Sequence, residues 1–412
     1  MPQLHTLGNG LRVVLAPDTS APTVGIALTY DVGSRDEEPG RTGYAHLFEH
    51  LMFEGSTHAP KGDHFRLIQS MGGQLNGTTS QDRTNYYCAL PAHQVGLGLW
   101  LEADRMRGLA LTPESFENQR QTVMEERRQR VENAPYGLAS LAFAELSYTH
   151  WAYAHPIIGT WEDLRAARYE DARAFHERWY RPDNAVLALA GDLDPQEVLG
   201  MIADWYGDIA PGGPRTRVQI SEPPRPAPRQ VTLEAPLASL PALFISHLAP
   251  TFSDPDFYVY EVIETLLFSG HAGRLYRRLV VETAAAVEVG GGYEARRGPS
   301  LLSFYAVAAR GGDLDRVRDL YLDELARLAT EPVPPDHLER VCNQILVGRL
   351  LGQESALSRA LALGRSTLYV GDVSWEDQYQ DRIAAVRPDD ILRVAARDLG
   401  AHAHVALQAL PR

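Results

Sequence analysis

The sequence predicts an α+β fold of two tandem, similar domains, each an antiparallel-rich sheet covered by helices. Three observations lead there. The order of strands and long helices runs through once and then starts again, the mark of a duplicated unit. The stretch 211–229, PGGPRTRVQISEPPRPAPR, holds six prolines and reads as a stiff extended linker between the halves. The chain has 412 residues, 44% hydrophobic and 22% charged, enough for two proper cores. The expected division is therefore 1–210, a linker at 211–229, and 230–412.

In the first half, Leu11–Leu15 and Val24–Tyr30 alternate as strands, and Asn9-Gly10 between Leu7 and Leu11 is a hairpin turn signal. Tyr44–Phe53 reads as a helix stopped at Gly55, with a second helix over 61–71. The Thr-, Asn- and Tyr-rich run from Gln74 to Leu90 is extended. Helical patterns occupy 92–108, 113–132, 135–148 and 161–179. Asn184–Ala190 is a buried strand, and a helix follows from Pro195. After the linker come strands at 230–235 and 242–248, helices at 254–268 and 273–283, and strands at 286–294 and 300–309. Helices at 313–330, 335–351, 354–368 and 388–398 and a strand at 403–409 complete the chain.

Composition excludes several classes of function. Acidic residues outnumber basic ones by 53 to 39, a net charge of -14, so no broad basic surface exists for nucleic acid or anionic lipid. The two cysteines, Cys88 and Cys342, are far apart and form no CxxC pair, which argues against a disulfide framework or a thiolate metal site. No signal-peptide pattern opens the chain, and no run approaches the roughly 20 apolar residues of a membrane span. The expected location is cytoplasmic.

His46-Leu-Phe-Glu49-His50 carries the chemistry. Imidazoles at i and i+4 share one helical face and can reach one ion together. Glu49 falls on an adjoining part of that surface, near the metal without ligating it, where a carboxylate can move protons to and from a zinc-activated water. The motif is the inverted zinc pattern HxxEH. A solvated helix face would explain the bare pattern as well, but the triplet sits among Gly43-Tyr-Ala45 and Leu51-Met-Phe53, and polar groups in a largely buried helix need a partner. Zinc also needs a third protein ligand. The helix around Phe116–Arg128 offers adjacent Glu125 and Glu126, which point about 100° apart, and spacing does not choose between them.

GYAHLFEHLMFEGS resembles the active-site helix of the pitrilysin (M16) zinc metallopeptidases, in the branch that contains the mitochondrial processing peptidase. The resemblance extends over the chain through GGQLNGTTS at 72–80, the glutamate-rich helix, Tyr180-Arg-Pro-Asp-Asn184, Gly191-Asp192 and Gly273-Arg-Leu-Tyr-Arg-Arg-Leu279. It implies two M16/LuxS-like domains and a Zn²⁺ cofactor. The family's third ligand lies about 76 residues beyond the second histidine, which makes Glu126 the implied ligand here. Gln119 stands where the family often has a glutamate supporting the site from behind the ligands. Asn76 and Gly77 match positions lining the scissile bond, on a sheet edge that takes up peptide substrate as an added strand. In self-sufficient members an arginine and, seven residues later, a tyrosine follow the helix resembling GRLYRRL. Here those positions are Val280 and Val287, which implies a heterodimer whose homologous partner supplies the pair.

The leading expectation is a zinc endopeptidase acting on peptides or unfolded segments. The alternatives are a non-catalytic assembly subunit on the same fold, which typically loses part of HxxEH, and a metal-dependent hydrolase of a non-peptide substrate.

Overall fold

The computed structural model describes residues 2–400 and 404–412, which form two compact units, each around its own sheet. One unit comprises the chain up to Glu126, His155–Val218 and Leu350–Gln378; the other comprises Arg127–Ala154, Gln219–Arg349 and the chain from Tyr379 on.

The first sheet contains β1 (Gln3–Thr6), β2 (Arg12–Pro17), β3 (Thr23–Tyr30), β4 (Gln74–Thr79), β5 (Thr84–Pro91) and β6 (Ala185–Gly191), in the order β1-β2-β6-β3-β5-β4. Neighbours run antiparallel except β2 and β6. The hairpin expected at Asn9-Gly10 joins β1 to β2: Gly10 takes φ 88, and the Leu11 amide donates to Asn9 Oδ1. One face carries Leu11, Val13, Leu15, Ile26 and Leu28 into a core shared with the helices Tyr44–Leu51, Val95–Arg107 and Pro195–Tyr206.

β6 is buried at every position, so the sheet must be covered on both faces. The second cover comes from beyond the proline-rich segment. Ala360, Leu363 and Leu368 of the helix Ala356–Tyr369 pack on Val14, Ala16, Ala27, Val186, Ala188 and Ala190. Small side chains let the helix sit close, most of all at Gly25, where a Cβ would come within 2.4 Å of the Leu357 backbone.

The second sheet repeats the plan with β7 (Arg229–Glu234), β8 (Ala242–Ala249), β9 (Ala286–Glu294), β10 (Ser300–Ala308) and β11 (His404–Leu410), in the order β7-β11-β8-β10-β9. β7 and β11 are again the one parallel pair, matching β2 and β6. Its second cover is the helix Gly137–Ser147, whose Ala139, Ala142 and Phe143 meet Ala242, Phe244 and Leu407. Each sheet thus draws its strands from one half of the chain, while one covering helix on each side is exchanged between the halves.

Residues 211–228 of the proline-rich stretch have no helix or strand and are pinned at several points. Arg215 makes a bidentate pair with Asp183, and Arg217 reaches Asp31 and Asp36, all in the first unit. In the second unit Glu222 accepts the Thr149 and His150 amides, and Arg225 donates to the Ser147 and Ser246 carbonyls.

Local departures have local causes. The helix expected over 113–132 is α-helical for Pro113–Arg127 and widens to a π segment at Arg128–Glu132; 273–283 likewise becomes Arg274–Tyr276 followed by a π segment at Arg277–Glu282. The pattern over 161–179 breaks into Trp161–Ala166, capped by Thr160 Oγ1 on the Asp163 amide, and Tyr169–Trp179. The helix Trp375–Ala384 buries only Tyr379 and Ile383 and leaves little periodic signal. The last strand was expected from 403, which lies outside the described residues.

Candidate metal centre

The helix Tyr44–Leu51 turns Tyr44, Leu47, Phe48 and Leu51 into the core, which leaves His46, Glu49 and His50 together on the half-buried face. Its N-terminus has no side-chain cap of its own; Gly43, at φ 90, makes the entry in a left-handed conformation. The cap comes from Glu37, whose carboxylate accepts the Gly43 amide at 2.9 Å and the Ala45 amide at 2.8 Å. His155 Nε2 lies 3.0 Å from the same carboxylate, and both side chains are almost fully buried. Burial raises the Glu37 carboxyl above its ordinary pKa, and His155 and the two amides oppose that rise. A negative group at the positive end of the helix dipole is favourably placed. At the other end, the Arg105 guanidinium stacks over Tyr86, 4.4 Å from the ring centroid, and points at the Met52 carbonyl at 3.5 Å. Tyr86 donates its hydroxyl to the Phe48 carbonyl at 2.9 Å. Buried groups therefore hold this helix at its start, middle and end.

The helix Pro113–Arg127 supplies the third group. Phe116 and Val123 anchor it in the core, and its last turn brings Glu126 Oε2 to 3.3 Å from His50 Nε2 and 3.6 Å from His46 Nε2. Glu125 is exposed. The ambiguity left by spacing disappears in the geometry, because the core side of the helix fixes its rotation. Donor atoms of His46, His50 and Glu126 lie within 4.8 Å of one another and form the one such trio among the described residues. Ligands about 2.0–2.1 Å from a tetrahedral zinc stand roughly 3.4 Å apart, so the two separations measured from Glu126 suit that ion. Two imidazoles and one carboxylate leave a fourth position open, as in catalytic zinc sites.

Glu49 stands outside the trio, beside the sheet edge. A Cβ added at Gly77 would lie 3.1 Å from Glu49 Cγ and 3.3 Å from the Phe53 ring, so the Gly77 backbone lies against the Glu49 side chain. Tyr87, opposite Asn76 in the β4–β5 register, has its pKa raised first by burial and then by the Glu49 charge. Among the described residues β4 pairs only with β5, and Asn76 is exposed, its Oδ1 accepting the Gly77 amide.

Gln119 departs from expectation. Its amide donates to Glu54 Oε1 at 2.7 Å and not to His46, His50 or Glu126. Glu54 is buried and also holds Lys61 at 2.7 Å, so the pair braces the turn after the histidine helix. Sequence reasoning missed Glu54, Glu37, His155, Arg105 and Tyr86. Glu37 carries a weak signal as an acid just ahead of a helix start; Glu54 follows the helix directly but has no pattern of its own, and His155, Arg105 and Tyr86 come from distant segments. In the second unit Val287 is exposed, and Val280 is half-buried. No described helix is long and apolar enough to cross a membrane.

A family model described as "Insulinase (Peptidase family M16)" matches residues 12–160, and one described as "Peptidase M16 inactive domain" matches 166–345. The zinc protease PqqE of Helicobacter pylori is 25% identical over 393 residues, covering 95% of this chain and 88% of that protein. A probable mitochondrial-processing peptidase subunit beta of Arabidopsis thaliana is 25% identical over 406 residues, covering 95% and 75%. The crystal structure of a protease from Helicobacter pylori superposes with a TM-score of 0.94 at 24% identity, over 100% of this chain and 99% of that one.

Proposed function

The chain belongs to the M16 peptidase family, and from that membership we propose a zinc-dependent endopeptidase for peptides or extended polypeptide segments, acting as the metal-bearing subunit of a heterodimer. The observation that carries this reading is the convergence of His46, His50 and Glu126 donors within 4.8 Å of one another, with Glu49 on the same helix just outside them. Zinc held by that trio would supply a Lewis acid for the scissile carbonyl and lower the pKa of the attacking water. Glu49 takes the proton from that water and returns it to the leaving amine. An extended substrate pairs with the open edge of β4, so that Asn76 and Gly77 present backbone groups to it and the missing side chain at Gly77 lets it approach Glu49. Backbone pairing of this kind selects for an extended chain more than for particular side chains.

The heterodimer rests on Val280 and Val287, which offer no side-chain donor where the family resemblance expects an arginine and a tyrosine. The partner would contribute them. The match of 166–345 to a domain described as inactive agrees with a second half that holds no trio of metal-ligating side chains among its described residues.

The test is zinc content by atomic absorption together with cleavage of a fluorogenic peptide, with and without the copurifying homologous subunit. Stoichiometric zinc, partner-dependent cleavage and a dead but zinc-replete Glu49→Gln variant are expected. Stoichiometric zinc with no cleavage in the presence of the partner would instead favour a subunit that serves assembly.

A further inference from the structure

The second unit holds a cleft of about 320 Å³, open to solvent and walled by the segment around 265–282, the end of the helix Leu314–Thr330 and the start of the helix Pro335–Gln353. Arg274, Arg277, Arg278, Arg327 and Arg340 line it against three glutamates, an excess of positive charge in a chain whose net charge is -14. The arrangement is organised from beneath. Glu324, its side chain only 4% exposed, holds Arg274 and Arg327 at 3.3 Å each and so fixes two guanidinium groups that border the cleft. Arg278 pairs loosely with Glu282 and Asp323 at 3.6 and 3.5 Å, and its Nε is buried with no hydrogen-bond partner among the described residues. Arg277 and Arg340 are exposed and make no ion pair among the described residues. Arg277 and Arg278 lie on the π segment, a distortion that proteins tend to retain at functional sites.

Planar guanidinium forks match tetrahedral and carboxylate oxyanions through paired, charge-assisted hydrogen bonds. The wall is mostly polar and offers little to a large apolar body, so it suits a small ligand that is nearly all charge. We infer that this cleft binds a compact oxyanion of two or more negative charges, for which a condensed inorganic phosphate is the simplest probe. The inference concerns binding and stands independently of the peptidase reading.

The experiment titrates the full chain with tripolyphosphate at constant ionic strength and follows the melting temperature and the calorimetric heat. Orthophosphate and an oligo-glutamate peptide run as parallel arms, and the double variant Arg277→Ala/Arg340→Ala is the control, since both side chains are exposed and free of structural pairs. A saturable rise in melting temperature is expected, with affinity at least about tenfold weaker in the variant and weaker still for orthophosphate. No saturable response, or one unchanged by the double substitution, overturns the proposal. So does binding of oligo-glutamate at these arginines without binding of tripolyphosphate, which would make the cleft a dock for acidic peptide.

Discussion

At the residue scale the proposed mechanism separates the groups that would hold a metal from the one that would move a proton. His46, His50 and Glu126 point their donors at a common centre, while Glu49 faces the β4 edge. Glu49→Gln should lower kcat by about 10²–10⁴-fold and leave zinc content unchanged; a loss of zinc in that variant would instead make Glu49 a ligand. Gly77→Val should reduce cleavage without unfolding the protein, because its side chain would press on Glu49 Cγ, which a Cβ alone approaches to 3.1 Å; a variant as active as the parent would remove the backbone approach from the mechanism. Gln119→Glu would set a second carboxylate against Glu54 at hydrogen-bond range. The expected result is a stability loss of about 1 kcal/mol in urea titration and no gain in zinc affinity. The histidine pair was legible because i and i+4 share a face. The choice between Glu125 and Glu126 was open to spacing alone, since only the packing of Phe116 and Val123 sets the rotation of their helix.

At the element scale the eight-residue helix Tyr44–Leu51 is too short to persist by itself and depends on its surroundings. Glu37 satisfies two of its first amides, and Arg105 meets its carbonyl end. Glu37→Ala should lower the unfolding free energy by about 3–5 kcal/mol, as expected when one member of a buried pair is removed, and should weaken zinc binding. Denaturant titration checks the first effect and competition with a chelator the second. Normal stability and zinc affinity would show that the helix start is held by other means. The sequence announced this helix through its apolar face and Gly55. Its clamps were hidden because the contacts depend on how residues 37, 105 and 155 are brought together in space. The two π segments were hidden too, since an extra residue in one turn barely disturbs an apolar pattern read at 3.6 residues.

At the scale of the whole molecule, each sheet has one face closed by a helix from the other half of the chain. The alanine-rich, fully buried β6 announces that a second cover exists, and nothing in its composition says which helix provides it. Residues 1–210 expressed alone should therefore expose Val14, Ala27, Val186 and Ala188, bind a hydrophobic dye and aggregate. A monomeric, dye-negative fragment would show that the exchanged helix is dispensable. Acid should also loosen both units. Burial holds His64 at about 4 and, in the second unit, His247 at about 3, and neither ring nitrogen of His247 has a hydrogen-bond partner among the described residues. Both stay neutral in the folded chain while the unfolded chain takes up protons below about 6.5, so stability falls as pH drops through 6.5 toward 4. Between pH 6.5 and 5 each contributes a loss on the order of 2 kcal/mol, and His247→Leu should remove its share. Urea midpoints at the two pH values check this, and an unchanged midpoint would contradict it.

The exchanged helices also bear on a chain that has been cut. Arg215 and Arg217 are tied down on one side and Glu222 and Arg225 on the other, so residues 218–221 are the natural place for a protease to nick. Each resulting fragment would still own a piece of both folded bodies. A nicked chain should elute from gel filtration as one intact particle and come apart only in denaturant, because the polypeptide is laced through itself and the strap is the least of its fastenings.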